Sequence, residues 1–178
     1  MRMPRVANKI AYVGLGSNLD SPAGTPAETV TAAVESLAAV GTIVTRSSLY
    51  RTAPLEYEEQ PAFVNAVVAL RADQEPEQLL QSLLTIERSF GRDRAAALKK
   101  GPRTLDLDLL MFDDLIYESP ALTVPHPGLP RRRFVLAPLA EIAPEVIHPL
   151  LKRTIRELLS ELPDRGPNRR SAVQVLPP

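Results

Sequence analysis

Residues 42–71 read TIVTRSSLYRTAPLEYEEQPAFVNAVVALR. The first stretch, 42–52, is rich in β-branched residues, and 63–71 is rich in valine, so each reads as a strand. The acidic loop at 55–61 keeps the two close enough for an antiparallel pair. Before this pair, 10–16 reads as a buried strand ending in Gly14-Leu15-Gly16-Ser17-Asn18. A helix over 25–40 follows, with Val30, Ala33, Val34 and Leu37 at helical spacing, Thr25 as cap, Pro26 in the first turn and Gly41 to stop it. After the pair, 74–90 predicts a second helix, with Pro76 near its start, an apolar stripe of Leu79, Leu80, Leu83, Leu84 and Ile86, and Gly91 at its end. A basic loop at 92–102 leads to a strand over 105–112. The order strand, helix, strand, strand, helix, strand predicts an α+β fold, a ferredoxin-like βαββαβ sandwich.

C-terminal additions follow Phe112: a short hairpin over 113–122, a Pro/Gly loop at 125–130, and helices over 134–141 and 151–162. A single domain is expected over 1–163, with 164–178 as a loose tail rich in Pro, Arg and Asn. The chain has 178 residues, the size of one domain, and can bury a core without a disulfide or structural metal. It has no cysteine and two histidines, His126 and His148, which excludes thiolate chemistry and argues against a His-rich metal site. Lys+Arg and Asp+Glu are both 21, so the basic excess of a general nucleic-acid binder is absent. Positive charge is instead local: Arg88, Arg92, Arg94, Lys99, Lys100 and Arg103 face a single acid, Asp93, and Arg131, Arg132 and Arg133 form a second run. Such patches suit a small anionic ligand. No stretch reaches the ~18 apolar residues of a membrane span, and the N-terminus lacks the apolar core of a signal peptide. Expected partners therefore include neither membrane nor nucleic acid, and a monomer in the cytoplasm is expected.

Asp106 and Asp108 carry the strongest chemical signal. In the strand Leu105-Asp106-Leu107-Asp108-Leu109-Leu110 the alternation puts both carboxylates on one face and Leu105, Leu107 and Leu109 on the other. Adjacent carboxylates repel unless a cation or arginines lie between them. Oxygen-only ligands with no nearby His or Cys favour magnesium over zinc. A bare Asp-x-Asp is also what a solvated strand face produces, but here Gly101-Pro102-Arg103 and the basic loop precede it. A phosphate chain held between metal and guanidinium groups requires that combination. His126, between Pro125 and Pro127, can hydrogen-bond a phosphate or simply face water. Phe63 and Asn65 share a strand face and can stack and hydrogen-bond a flat heterocycle, or belong to the core. The Gly14–Asn18 turn lacks the last glycine of a dinucleotide-binding fingerprint, since Leu19 stands there.

Taken together these motifs resemble one family, 6-hydroxymethyl-7,8-dihydropterin pyrophosphokinase. The matching pieces run in family order. They are Gly16-Ser17-Asn18-Leu19, then Ser48-x-Tyr50-x-Thr52-x-Pro54-Leu55, then Gln60-Pro61-x-Phe63-x-Asn65-Ala66-Val67, then Ile86-Glu87 leading to Gly91-Arg92-x-Arg94. The remaining pieces are Gly101-Pro102-Arg103-Thr104-Leu105-Asp106-Leu107-Asp108, Pro125-His126, and Arg132-x-Phe134-x-Leu136-x-Pro138-Leu139. The resemblance implies transfer of the terminal pyrophosphate of ATP to the pterin hydroxymethyl oxygen, a step of folate synthesis that leaves AMP. It implies Asp106 and Asp108 as ligands of two Mg2+ ions and Arg92 and Arg103 as holders of the triphosphate. Phe63 and Phe134 would sandwich the pterin, and Asn65 would bind its edge with backbone groups of Thr52, Pro54 and Leu55. Glu87, Arg94, His126 and Arg132 would lie on the nucleotide side. Three positions depart from the family pattern: Glu56 after Pro-Leu, Lys100 before Gly-Pro-Arg and Leu84 near the nucleotide; Arg133 adds a charge beside Arg132. Two rivals compete: a metal-dependent glycosyltransferase, which also uses Asp-x-Asp but needs a larger nucleotide-binding domain, and an RNA-binding ferredoxin-like sheet, which would carry a basic excess.

Overall fold

The computed structural model describes residues 8–53, 59–96 and 101–178. The first strand, β1 (Lys9–Ser17), alternates between two environments. Ala11, Val13 and Leu15 join one apolar cluster and Tyr12 joins another on the opposite face, where Gly14 and Gly16 follow it. Helix α1 (Pro26–Leu37) starts at Thr25, whose side chain accepts from the Glu28 N–H while Glu28 returns a bond to the Thr25 N–H, a capping box. Its buried Val30, Ala33, Val34 and Leu37 pack on the β1 face that carries Val13. The helix ends before Gly41, whose role is contact: a Cβ there would lie 2.5 Å from the Arg71 carbonyl oxygen.

The stretch expected as one strand over 42–52 is two, β2 (Thr42–Arg46) and β3 (Tyr50–Thr52), both antiparallel to β4 (Phe63–Ala72). The break at Ser47–Leu49 has a cause 93 residues away in sequence. The Glu141 carboxylate accepts the Ser48 N–H at 3.0 Å, which takes that group out of the ladder, and also accepts the Ser48 hydroxyl at 2.8 Å and the Tyr50 hydroxyl at 2.8 Å. Helix α2 (Pro76–Ser89) buries Leu79, Leu83 and Glu87, one residue per turn along a single stripe. Gly91, at φ +81°, supplies the left-handed turn that follows. Strand β5 (Asp106–Phe112) closes the core motif beside β1.

All pairings in the main sheet are antiparallel, in the order β5-β1-β4-β3, with β2 continuing the β3 line along β4. That is the expected ferredoxin-like order. The hairpin expected over 113–122 forms as β6 (Tyr117–Glu118) and β7 (Thr123–Val124). Helices α3 (Arg133–Ile142) and α4 (Ile155–Glu161) pack on the sheet face opposite α1 and α2, burying Leu136, Leu139, Ile155 and Leu158 with Val67 and Met111. The segment 164–178, expected as a loose tail, instead carries β8 (Val173–Val175), which pairs with β3 at the sheet edge. Among the described residues no helix is long and apolar enough to cross a membrane.

Candidate active site

The cavity is a consequence of alternation. On the α3 side of the sheet β1 presents Gly14 and Gly16 where a core strand would present side chains, and α3 covers only part of that face. A cavity of about 580 Å³ results, with those glycines, Asn65, Asp106, Asp108 and Leu110 among its lining. Gly16 is required by close approach, since a Cβ there would sit 2.8 Å from Asn65 Oδ1. Asn65 is buried, and its amide donates to the Thr52 hydroxyl at 2.7 Å. Phe63 and Phe134 both line the cavity, each with a guanidinium over its ring: Arg103 at 5.1 Å and Arg132 at 5.9 Å from the centroids.

Charge is concentrated around β5. Asp106 Oδ1 lies 3.9 Å from Arg92 Nη2 and 3.8 Å from Arg94 Nη2, and Oδ2 lies 3.5 Å from Arg103 Nη1. These are ion pairs too long for hydrogen bonds. Arg92 Nε and Nη1 and Arg103 Nε are buried and lack a hydrogen-bond partner among the described residues. Burial pulls the Arg92 guanidinium below its ordinary pKa, partly offset by Asp106. Unpaired buried donors cost about 1–3 kcal/mol each, so these groups favour an anion with several acceptor oxygens.

Asp108 is pushed up to about 7, first by burial and then by the Asp106 charge, with Arg132 and Arg103 opposing. Two repelling carboxylates on one face are relieved by a cation. Among the described residues no set of three or more His, Cys, Asp or Glu gathers as a metal site. Two carboxylates and no third protein ligand fit a cation that completes its shell with phosphate oxygens and water, as magnesium does. His126 lines the cavity, and its Nδ1 accepts the Gly128 N–H at 3.0 Å. Burial and the Arg132 charge lower its pKa. The ring is therefore neutral near pH 7 with its proton on Nε2, a donor.

The structure brings Thr52, Phe63, Asn65, Arg92, Arg94, Arg103, Asp106, Asp108, His126, Arg132 and Phe134 to one cavity. Pro54, Leu55, Glu56 and Lys100 lie outside the described residues. Glu87, expected on the nucleotide side, does not line the cavity. It is 1% exposed, and its carboxylate accepts the Leu107 N–H at 2.8 Å and a two-point bond from Arg94 at 2.8 and 2.7 Å. Arg133 turns away to the Leu162 and Asn168 carbonyls, which leaves Arg132 as the residue of that run that lines the cavity.

Sequence reasoning missed Asn18 as an organiser. Its Oδ1 accepts the Arg103 N–H at 2.8 Å, and its amide donates to Gln60 Oε1 and the Pro61 carbonyl, both at 3.0 Å. It thus ties the end of β1 to the residues that precede Phe63 and Asp106. The signal was the Gly-Ser-Asn motif itself, read above as a turn and a piece of the family pattern but with no role for Asn18.

A family model described as 7,8-dihydro-6-hydroxymethylpterin-pyrophosphokinase matches residues 12–144. The chain is 43% identical over 154 residues to the 2-amino-4-hydroxy-6-hydroxymethyldihydropteridine pyrophosphokinase of Synechocystis, covering 85% of this chain and 75% of that protein. It is 42% identical over 157 residues to the protein of that name from Pseudomonas aeruginosa, covering 87% of this chain and 93% of that one. It is 38% identical to the folic acid synthesis protein fol1 of Schizosaccharomyces pombe, covering 89% of this chain but 21% of that protein. A crystal structure of wild-type Plasmodium falciparum HPPK-DHPS superimposes with a TM-score of 0.66 at 17% identity, covering 85% of this chain and 42% of that one, a likeness of fold. The chain thus spans a minor part of the fungal and parasite proteins and most of the bacterial ones.

Proposed function

We infer the chemistry of the cavity from one premise: the chain belongs to the 7,8-dihydro-6-hydroxymethylpterin-pyrophosphokinase family. It is an ATP-dependent pyrophosphokinase, and its reaction is pyrophosphoryl transfer to 6-hydroxymethyl-7,8-dihydropterin in folate biosynthesis. The pterin hydroxyl oxygen bonds to the β-phosphorus of ATP and gives up its proton as the bond from that phosphorus to the α-phosphate oxygen breaks, leaving AMP.

The observation that carries the residue assignment is the charge pattern of β5. Asp106 stands among three guanidinium groups, two of them (Arg92 and Arg103) with unpaired buried donors, beside a second carboxylate that resists ionisation. In our reading Asp106 and Asp108 hold two magnesium ions, which when bound neutralise charge on the phosphates. Arg92 and Arg103 bind phosphate oxygens through the donors that are unpaired in the free protein. They stabilise charge as it spreads at the transition state. Arg94 is held bidentate by Glu87 and keeps a third positive charge near Asp106. His126 donates from Nε2 to a phosphate oxygen, and Arg132 lies on the nucleotide side.

Asn65 reads the pterin edge, with Thr52 orienting its amide so that Oδ1 is the group left to accept. Phe63 and Phe134 stack the ring, which exchanges a guanidinium for a heterocycle on whichever ring face it takes. We take the working unit to be a cytoplasmic monomer, which sedimentation at monomer mass in the presence of ligands would support. Calorimetry of 6-hydroxymethylpterin with and without a non-hydrolysable ATP analogue and magnesium tests the reading. Pterin binding that tightens with nucleotide and metal is expected. No pterin binding to folded protein in either condition would overturn it.

A further inference from the structure

The segment after α4 lies outside residues 12–144 and supplies none of the described cavity-lining residues, yet it grips two elements that do. At one end β8 pairs with β3, and the Ala172 carbonyl accepts the Ala53 N–H at 3.0 Å, directly after Thr52. At the other end, Asn168 bonds to the backbone on both sides of Arg132. Its Nδ2 donates to the Arg131 carbonyl at 3.0 Å, and its Oδ1 accepts the Arg133 N–H at 3.1 Å. The Arg133 guanidinium answers by donating Nε–H to the Asn168 carbonyl.

Helix α3 has no cap from its own N-cap residue, which is Arg132 itself. Asn168 therefore caps the helix from 35 residues away. A residue between two pinned peptides loses its backbone freedom. Arg132 is fixed in an extended conformation, φ −124° and ψ 107°. Its guanidinium lies over Gly128, where a Cβ would be 2.7 Å from its Cζ, and beside the Phe134 ring. Its charge is felt at both Asp108 and His126.

We propose that Asn168 is a positioning residue for the nucleotide side of the site, acting through Arg132 by holding the peptides that flank it. The inference rests on the reading that Arg132 serves ATP. Two bonds from one short side chain set the direction in which Arg132 leaves the backbone. A small rotation there moves a guanidinium at the end of a long side chain by far more than it moves the helix. A residue that merely docks the tail would change stability and leave substrate affinity alone.

The test is steady-state kinetics on the full chain for N168A, N168D, R132A and the N168A/R132A double variant, with ATP and pterin varied separately. N168A is expected to raise KM for ATP about fivefold or more, with KM for pterin and kcat changed by about twofold or less. N168D keeps the acceptor for the Arg133 N–H and loses the donor to Arg131, so it should fall between wild type and N168A. In the R132A background N168A should add less than about twofold, because two residues acting as one unit are not additive. An ATP KM unchanged in folded N168A, or effects that multiply in the double variant, would overturn the proposal while leaving the role of Arg132 intact. An R132A enzyme with unchanged ATP KM would overturn that role and this inference together.

Discussion

Glu87 lies against β5 and Asp108 lies on it, and the fold treats them in opposite ways. Glu87 is almost fully buried and every side of its carboxylate is answered, by the Leu107 N–H and by both arms of Arg94. The Asp108 carboxylate accepts no hydrogen bond among the described residues and is pushed up to about 7 by burial and by Asp106. One carboxylate is finished by folding, the other is left to be finished by a ligand. The same contrast separates the seams around the cavity from its floor. Asn18 and Glu141 are satisfied organisers, whereas Arg92 and Arg103 keep buried donors unpaired. Polar groups left short of partners mark where the protein binds, and satisfied ones mark what holds that place in shape.

Substitutions can break this comparison. Asp108→Ala should lower turnover by about 10³-fold or more while circular dichroism and thermal stability stay intact. Retained turnover would remove Asp108 from the machinery. Arg103→Ala should cost about 10²-fold in kcat, measured as AMP release at saturating substrates. Glu87→Ala should act on the other side of the contrast. It strands the Leu107 N–H and frees Arg94, costing about 2–3 kcal/mol of stability by denaturant melts. Arg94 is half exposed, so water recovers part of that loss.

The smallest effect has the sharpest sign. Asp108 ionises in the unfolded chain near its ordinary value of 3.8 and in the folded, metal-free protein at about 7. A raised carboxylate costs stability wherever the unfolded state is ionised, so stability should fall as pH rises from about 4 to about 7 and stay lowered above that. Asp108→Asn removes this penalty. It should raise the melting temperature of metal-free protein at pH 8 by a few degrees, on the order of 1–2 kcal/mol. The gain should vanish near pH 4. A variant less stable than wild type at pH 8 would show that Asp108 is satisfied in the folded state.

The βαββαβ order was legible because each element carries its own periodicity: Val30, Ala33, Val34 and Leu37 for α1, alternating Leu and Asp for β5. The Asp pair was legible for the same reason. What depends on contacts between distant residues was not. The break between β2 and β3 is made by Glu141 on α3, and nothing in SSLYRT announces it. β8 is too short to stand out by pattern and exists because β3 offers a free edge. Glu87 could be placed near the nucleotide from its motif, but only the register of α2 against β5 shows that its carboxylate meets a backbone N–H. The run Arg131–Arg133 likewise looks uniform in sequence, and the start of α3 sends Arg132 and Arg133 to different surroundings.

The most direct test of the account is product analysis by phosphorus NMR. Purified protein would be incubated with ATP, magnesium and 6-hydroxymethyl-7,8-dihydropterin. AMP and a pterin diphosphate should form in equal amounts, and both should form about 10³-fold or more slowly with Asp108→Ala. ADP with a pterin monophosphate, or AMP and free pyrophosphate without pterin product, would contradict it.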